Sequence, residues 1–123
     1  MDTKNILIAE DSEIEGMILE RALKSAGYNV ERASDGLEAL EKYLSKNKYD
    51  LLITDISMPG LSGIELIWHA REKNILPPTI VLTSNRSEEA SLKSLEIGAL
   101  DHLTKPYNLP LILAKVKVAL GRT

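Results

Sequence analysis

Four short apolar runs in this chain each end in a residue able to do chemistry. Asn5-Ile6-Leu7-Ile8-Ala9 ends in Glu10 and Asp11, and Leu51-Leu52-Ile53-Thr54 ends in Asp55. Thr79-Ile80-Val81-Leu82 ends in Thr83, and Lys105 lies just past Ala99-Leu100-Asp101-His102-Leu103. Three carboxylates brought together repel one another and hold protons more tightly. A divalent cation relieves that repulsion. Mg²⁺ suits hard oxygen ligands and commonly takes one or two carboxylates with phosphate oxygens and waters. Thr83 supplies a hydroxyl donor, and Lys105 a point charge suited to a phosphoryl oxygen. Together they describe a place that stabilises a phosphoryl group. Asp55 is the candidate acceptor, because a carboxylate can act as a nucleophile and form an acyl phosphate. Glu10 and Asp11 are the better metal holders.

Such residues converge only if the runs are strands of one sheet. A short apolar run bounded by turn residues reads as a strand buried on both faces. Met58-Pro59-Gly60 supplies the turn after Asp55. Between the runs lie helical spacings. Ile18, Leu19, Ala22, Leu23 and Ala26 form a stripe in a helix from about Ser12 to Ala26, stopped by Gly27. Tyr28 to Ala33 reads as a strand nearer the sheet edge. Leu37, Leu40, Tyr43 and Leu44 follow the turn Ser34-Asp35-Gly36 and run to the Lys46-Asn47-Lys48 stop. Ile64, Leu66, Ile67 and Ala70 mark a helix from about Ser62, and Ser87, Glu89 and Ala90 begin another that Gly98 closes. A last helix is expected from about Leu109 to Leu120, with Leu109, Ile112, Leu113, Val116 and Leu120 inward. Five β-α units at even spacing predict an α/β fold: a right-handed, doubly wound, five-stranded parallel sheet with helices on both faces. In such sheets the binding crevice lies outside the carboxyl ends of the strands.

Composition narrows the function classes. The chain has 123 residues, one ordinary domain over 1–123, and 44% hydrophobic content, which is globular rather than disordered. Net charge is −3 with no clustering of Lys and Arg, so no nucleic-acid-binding stripe is expected in this chain. The absence of cysteine removes disulfide frameworks and thiolate metal sites. No apolar run approaches a membrane span and Met1-Asp2-Thr3-Lys4 has no signal-peptide pattern, so the expectation is a cytoplasmic protein without a membrane.

The chain resembles the receiver domain of two-component response regulators. The resemblance rests on Glu10-Asp11, on Asp55 in Asp-Ile-Ser-Met-Pro-Gly, on Thr83-Ser84, on Gly98-Ala99-Leu100-Asp101 and on Lys105-Pro106, in the family's order and spacing. It covers essentially the whole chain. It implies a flavodoxin-like strand order 2-1-3-4-5. It implies that Asp55 takes a phosphoryl group from a histidine kinase or histidine phosphotransfer protein. Mg²⁺ would be ligated by Asp11, Asp55 and the Ser57 backbone carbonyl, with Glu10 acting through water. Thr83 would bond the phosphoryl group and move with it, Lys105 would pair with it, and the Lys105–Pro106 bond would be cis. Such a domain is a signalling switch rather than a turnover enzyme: it catalyses only its own phosphorylation and dephosphorylation. The sequence departs from the family at His102, where Tyr or Phe is usual. An imidazole is smaller, more polar and titrates near neutral pH, so the usual Thr–aromatic switch is not carried over intact to Thr83 and His102.

Each residue also has a plainer reading. Asp11 alone would be a helix N-cap, Thr83 a β-branched strand residue, Lys105 a solvated lysine. Ser57 and Asn85 flank the site as tuning residues or as turn formers. His69 reads as solvated helix surface. Ile14 and Met17 fall off the core stripe of the first helix and, with Pro106, are candidates for docking a histidine-bearing helix. Leu111 and Val118 fall off the last helix's core face, flanking Lys115, and suggest an output or dimer face; monomer and phosphorylation-dependent dimer both stand. Two other functions share parts of this pattern: a receiver-like binding module that is never phosphorylated, and a phosphohydrolase or nucleotide-binding enzyme. The second lacks a Gly-rich loop after the first strand and has Ser57 where a haloacid-dehalogenase-like phosphatase carries its second Asp.

Overall fold

The computed structural model describes residues 3–84 and 88–121, with the side chains of 88–91 outside the description. The strands are β1 (Asn5–Ala9), β2 (Asn29–Ala33), β3 (Leu51–Asp55), β4 (Thr79–Thr83) and β5 (Asp101–Thr104). They form one parallel sheet in the order β2-β1-β3-β4-β5. This is the predicted doubly wound order, with β3 central and β2 at an edge. The fifth strand starts two residues later than expected, at Asp101, and the Leu100 amide just before it bonds the Thr79 carbonyl at 2.7 Å.

Alternate side chains of each strand go to opposite faces. Ile6, Ile8, Leu51, Ile53, Ile80 and Leu82 pack with Leu19 and Leu23 of α1 (Glu13–Ser25) and with Ile112 and Val116 of α5 (Leu109–Leu120). Leu7, Ala9 and Leu52 pack on the other face with Ala39, Leu40 and Leu44, and with Leu66 and Ala70 of α3 (Gly63–Glu72). Every residue of β3 is buried, which explains its unbroken apolar run. Complete burial of Leu51, Leu52 or Ile53 contributes about 2 kcal/mol each.

Helix starts follow local capping chemistry. Ser12, not Asp11, is the N-cap of α1: its hydroxyl accepts from the Glu15 amide at 3.3 Å. Ser62 and Glu65 form a complete capping box at α3. Asp35 caps α2 (Gly36–Glu38), which continues as a π-helical turn (Ala39–Tyr43) and a 3-10 turn (Leu44–Lys46) rather than as one regular helix. That segment ends at Asn47 in the left-handed region. The fourth helix, α4 (Glu88–Glu96), ends before Gly98, whose φ of 129° favours glycine. Ser87 and Asn85 lie outside the described residues.

Two expectations about helix faces are corrected. The stripe of α1 is centred on Gly16, Leu19 and Leu23, and Ile18 is 45% exposed. The buried side of α1 is the one on which Arg32 lies across Gly16, where a Cβ would meet its Cδ at 2.7 Å, and Ile18 lies off that side. Leu37 is also exposed, while Ala39 and Leu40 of the π-turn that follows are buried.

Candidate functional site

The sheet's carboxyl edge gathers the residues that the sequence singles out. β1 carries Glu10 to its end, and the Glu10 amide bonds the Ala33 carbonyl of β2 at 3.1 Å. Asp55 closes β3. The Ile56 amide donates to Leu82 at 3.0 Å and the Gly63 amide to Ile56 at 2.8 Å, folding the loop back over the strand end. Gly60 supplies the positive φ of 76° in that loop. Gly63 must lack a side chain, because a Cβ would collide with the Asp55 carbonyl oxygen. Lys105 is delivered by β5: its amide donates to the Thr83 carbonyl at 2.8 Å, and the Lys105–Pro106 bond is cis.

The resulting centre is a buried ammonium among carboxylates. Lys105 Nζ lies 2.6 Å from Glu10 Oε1 and 2.9 Å from Asp55 Oδ2. The side chains of Lys105, Glu10 and Asp55 are 10%, 0% and 7% exposed, so the charges meet where water screens them little. Glu10, Asp11 and Asp55 each bring a carboxylate oxygen within 4.8 Å of one another, with Asp11 on the solvent side. The Ser57 amide donates to Asp55 Oδ1 at 3.3 Å, which sets the loop backbone next to that carboxylate. Thr83 is buried at the end of β4.

Burial pushes the Glu10 carboxyl up to about 7, and a hydrogen bond with Asp55 adds to this against the pull of Lys105. Burial works against the Lys105 ammonium, but Glu10, Glu15 and Asp55 outweigh it and hold the group above the usual lysine range. Hard oxygen donors at this separation, one of them (Glu10 Oε2) shielded from solvent and without a hydrogen-bond partner among the described residues, fit a small divalent cation.

Two residues at the centre were not anticipated. The Tyr107 hydroxyl donates to Glu10 Oε1 at 2.9 Å, so that oxygen serves Lys105 and Tyr107 together. Glu15 Oε2 lies 2.5 Å from Lys105 Nζ. In the sequence, Ser12-Glu13-Ile14-Glu15 reads as a capping signature, and Tyr107 as an aromatic two residues past a strand-end lysine. Neither pattern reveals that both reach one ammonium.

The remaining candidates sit apart. His102 is half-buried in β5; its amide bonds Asp101 Oδ1 at 2.8 Å, and its Nδ1 is shielded without a hydrogen-bond partner. His69 is half-buried and in edge contact with Trp68, rather than fully solvated. Ile14 and Met17 are exposed by 74% and 40%, and Ile18 joins them on the outer side of α1. Pro106 lines a groove with Glu15, Ile18, Lys105, Tyr107 and Leu109. Leu111 and Val118 are exposed on α5, and Lys115 pairs with Asp101 at 2.6 Å.

Known proteins are similar to this chain in sequence and in fold. A family model described as the response regulator receiver domain matches residues 6–117. The alkaline phosphatase synthesis transcriptional regulatory protein PhoP of Bacillus subtilis is 38% identical over 120 residues, covering 98% of this chain and 50% of that protein. The transcriptional regulatory protein RprY of Bacteroides fragilis is 37% identical over 99% of this chain and 52% of its own length. The chain therefore spans about half the length of these curated relatives. Among solved structures, the receiver domain of the Francisella response regulator 1452 superposes with a TM-score of 0.91 at 31% identity, covering 98% of each chain. A CheY-like receiver domain from Methanospirillum hungatei gives 0.91 at 32% identity, covering 98% of this chain and 95% of that one. On the fold, the strand-end site and these matches, the chain belongs to the response regulator receiver domain family of two-component signalling proteins.

Proposed function

We propose that Asp55 is the phosphoryl acceptor of a two-component switch. The observation that carries this reading is the meeting of Glu10, Asp11 and Asp55 within 4.8 Å beside the buried Lys105 ammonium. In the transfer, an Asp55 carboxylate oxygen attacks the phosphorus of a phosphohistidine on a kinase or phosphotransfer protein. The P–N bond breaks as the P–O bond forms, and the imidazole leaves as a neutral ring, its freed nitrogen keeping the bonding pair and its other nitrogen the proton it already carried. Asp11, Asp55 and the Ser57 carbonyl would hold Mg²⁺, with Glu10 acting through water. Bound there, the cation neutralises charge on the transferring oxygens. Lys105 contributes a fixed positive charge on the other side of Asp55. The Thr83 hydroxyl is the donor for a phosphoryl oxygen.

The output is a shift in population of the face formed by residues 83–105, which changes what that face binds. With His102 in place of a larger ring, the shift is carried by Thr83 and Lys105 more than by an aromatic swing. Exposed Leu111 and Val118 lie beside Lys115 on α5 and suit a phosphorylation-dependent contact, either with a second copy or with an output partner. The curated relatives are named as transcriptional regulators. Control of transcription by a longer protein carrying this domain is the matching proposal, with the DNA contact outside this chain. No helix among the described residues is long and apolar enough to cross a membrane. A cytoplasmic site of action fits the family's exchange with kinase phosphohistidines.

The test is intact mass after incubation with Mg²⁺ and acetyl phosphate, for wild type and Asp55→Asn. A metal-dependent gain of one phosphoryl group that the variant lacks supports the reading. No gain from acetyl phosphate or from a phosphorylated histidine phosphotransfer protein would instead favour a receiver-like binding module.

A further inference from the structure

The same local motif occurs at the start of two helices, and it is used differently. At α3, Ser62-x-x-Glu65 closes a full capping box: Glu65 Oε1 accepts from the Ser62 amide at 3.0 Å, and the Ser62 hydroxyl accepts from the Glu65 amide at 3.2 Å. At α1, Ser12-x-x-Glu15 makes only half of it. The Ser12 hydroxyl accepts from the Glu15 amide, but the Glu15 carboxylate turns away to Lys105 Nζ at 2.5 Å. Glu15 Oε2 is shielded from solvent and lacks hydrogen-bond geometry to any described group, so charge attraction to Lys105 is what holds it. The Lys105 ammonium has three protons and faces three carboxylates. Glu10 is enclosed and also held by Tyr107, and Asp55 is enclosed at its strand end. Glu15, with a side chain 43% exposed, is the one of the three with a way out.

We propose that Glu15 is a two-position competitor for Lys105: it pairs with the ammonium while Asp55 is free, and folds back to the Ser12 amide when a phosphoryl group on Asp55 takes the lysine. Glu15 is thus a positioning residue, acting on the phosphoryl group through Lys105. Two forces drive the exchange. Converting the Asp55 carboxylate to an acyl phosphate raises its charge from about −1 to about −2, a net gain of about one negative charge beside carboxylates that already outnumber the lysine, so the least confined carboxylate is expelled. The capping position offers that carboxylate a backbone donor at the favourable end of a helix dipole. The exchange moves a charge from the site to the first turn of α1, next to exposed Ile14, Met17 and Ile18.

This inference rests on the phosphoryl-acceptor reading of Asp55, and the experiment separates the two. Beryllofluoride, a phosphoryl mimic, is titrated at saturating Mg²⁺ into wild type, Asp55→Asn, Glu15→Gln and Glu15→Ala by calorimetry. Amide NMR follows hydrogen exchange at Ser12. Removing the competitor in Glu15→Gln tightens the mimic by about threefold, the scale of one half-exposed ion pair. In wild type the mimic slows exchange of the Ser12 amide; in Glu15→Ala it does not. A change that merely loosened α1 would weaken the mimic in both Glu15 variants. Unchanged or weaker binding in Glu15→Gln, with wild type binding normally, overturns the competitor and leaves the acceptor standing. Tighter binding without Ser12 protection overturns the second position. Failure of wild type to bind beryllofluoride overturns the acceptor reading and the inference with it.

Discussion

Replacing Lys105 by Met removes the ammonium that pairs with Glu10 and Asp55 and leaves the two carboxylates facing each other. In wild type the ammonium is 2.6 Å and 2.9 Å from their oxygens, and all three side chains are at most 10% exposed. Removing one partner of a buried ion pair typically costs about 3–5 kcal/mol. The lower end applies at neutral pH, because Glu10, held up to about 7, already shares much of its charge with a proton. A cost of about 3 kcal/mol is therefore expected for the metal-free protein at pH 7.5. With an unfolding entropy of about 2.1 cal/mol/K per residue over 123 residues, that is a fall in Tm of about 12 °C. The assay is thermal and urea unfolding in a chelator, followed by circular dichroism, for Lys105→Met, Asp55→Asn and the double variant. Unpaired buried carboxylates have raised pKa values, so their cost is absent at low pH and grows as pH rises. The deficit of Lys105→Met should thus shrink toward pH 5. The double variant should be more stable than the sum of the singles predicts, because its second change removes the charge left stranded by the first. An unchanged Tm at pH 7.5, or strict additivity, would refute the view that Lys105 is the counter-charge that makes this acid cluster tolerable.

Three further outcomes follow from the same geometry. Gly63→Ala drives a Cβ into the Asp55 carbonyl oxygen, so it should destabilise the fold by about 1–3 kcal/mol in urea titrations, and it should slow acetyl phosphate labelling more than Gly27→Ala, which strains the backbone at φ 99° but touches no atom of the site. Glu10→Gln removes a carboxyl whose folded value of about 7 exceeds its ordinary 4.5; a raised acid stabilises fully below 4.5 and loses that stability as pH rises through 7, so metal-free wild type should weaken relative to the variant over this window by up to roughly 3 kcal/mol. Met17→Ala, on the exposed side of α1, should reduce the rate of transfer from a histidine phosphotransfer protein while leaving acetyl phosphate labelling intact; equal rates from the protein donor would remove α1 as the docking face.

Much of this molecule is legible in its sequence, because the relevant signals are local. Apolar runs such as Leu51-Leu52-Ile53 mark strands buried on both faces, and their even alternation with helical spacings leaves few arrangements other than a doubly wound parallel sheet. That topology alone brings strand-end residues to one crevice, so Glu10, Asp11, Asp55, Thr83 and Lys105 could be grouped without coordinates. Helix faces were less legible. Ile18 shares its spacing with Leu19 and Leu23 yet faces outward, and Leu37 is exposed although Leu40, one turn on, is buried; which side of a helix meets the sheet is set by the assembled fold.

The site divides in the same way. Sequence determined which chemical groups reach the crevice, because a residue's place at a strand end is set by local pattern and chain order. Tertiary structure decided which group each of them touches. Glu15 has the spacing of a cap, yet its carboxylate lies on Lys105 because the fold carries an ammonium to within 2.5 Å, and buried charge attraction outweighs a local hydrogen bond. Tyr107 reads as one more aromatic, yet its hydroxyl bonds Glu10 because the segment after β5 reaches the carboxyl end of β1. Local propensity selects elements; the low dielectric and fixed geometry of the assembled interior choose among the partners those elements present.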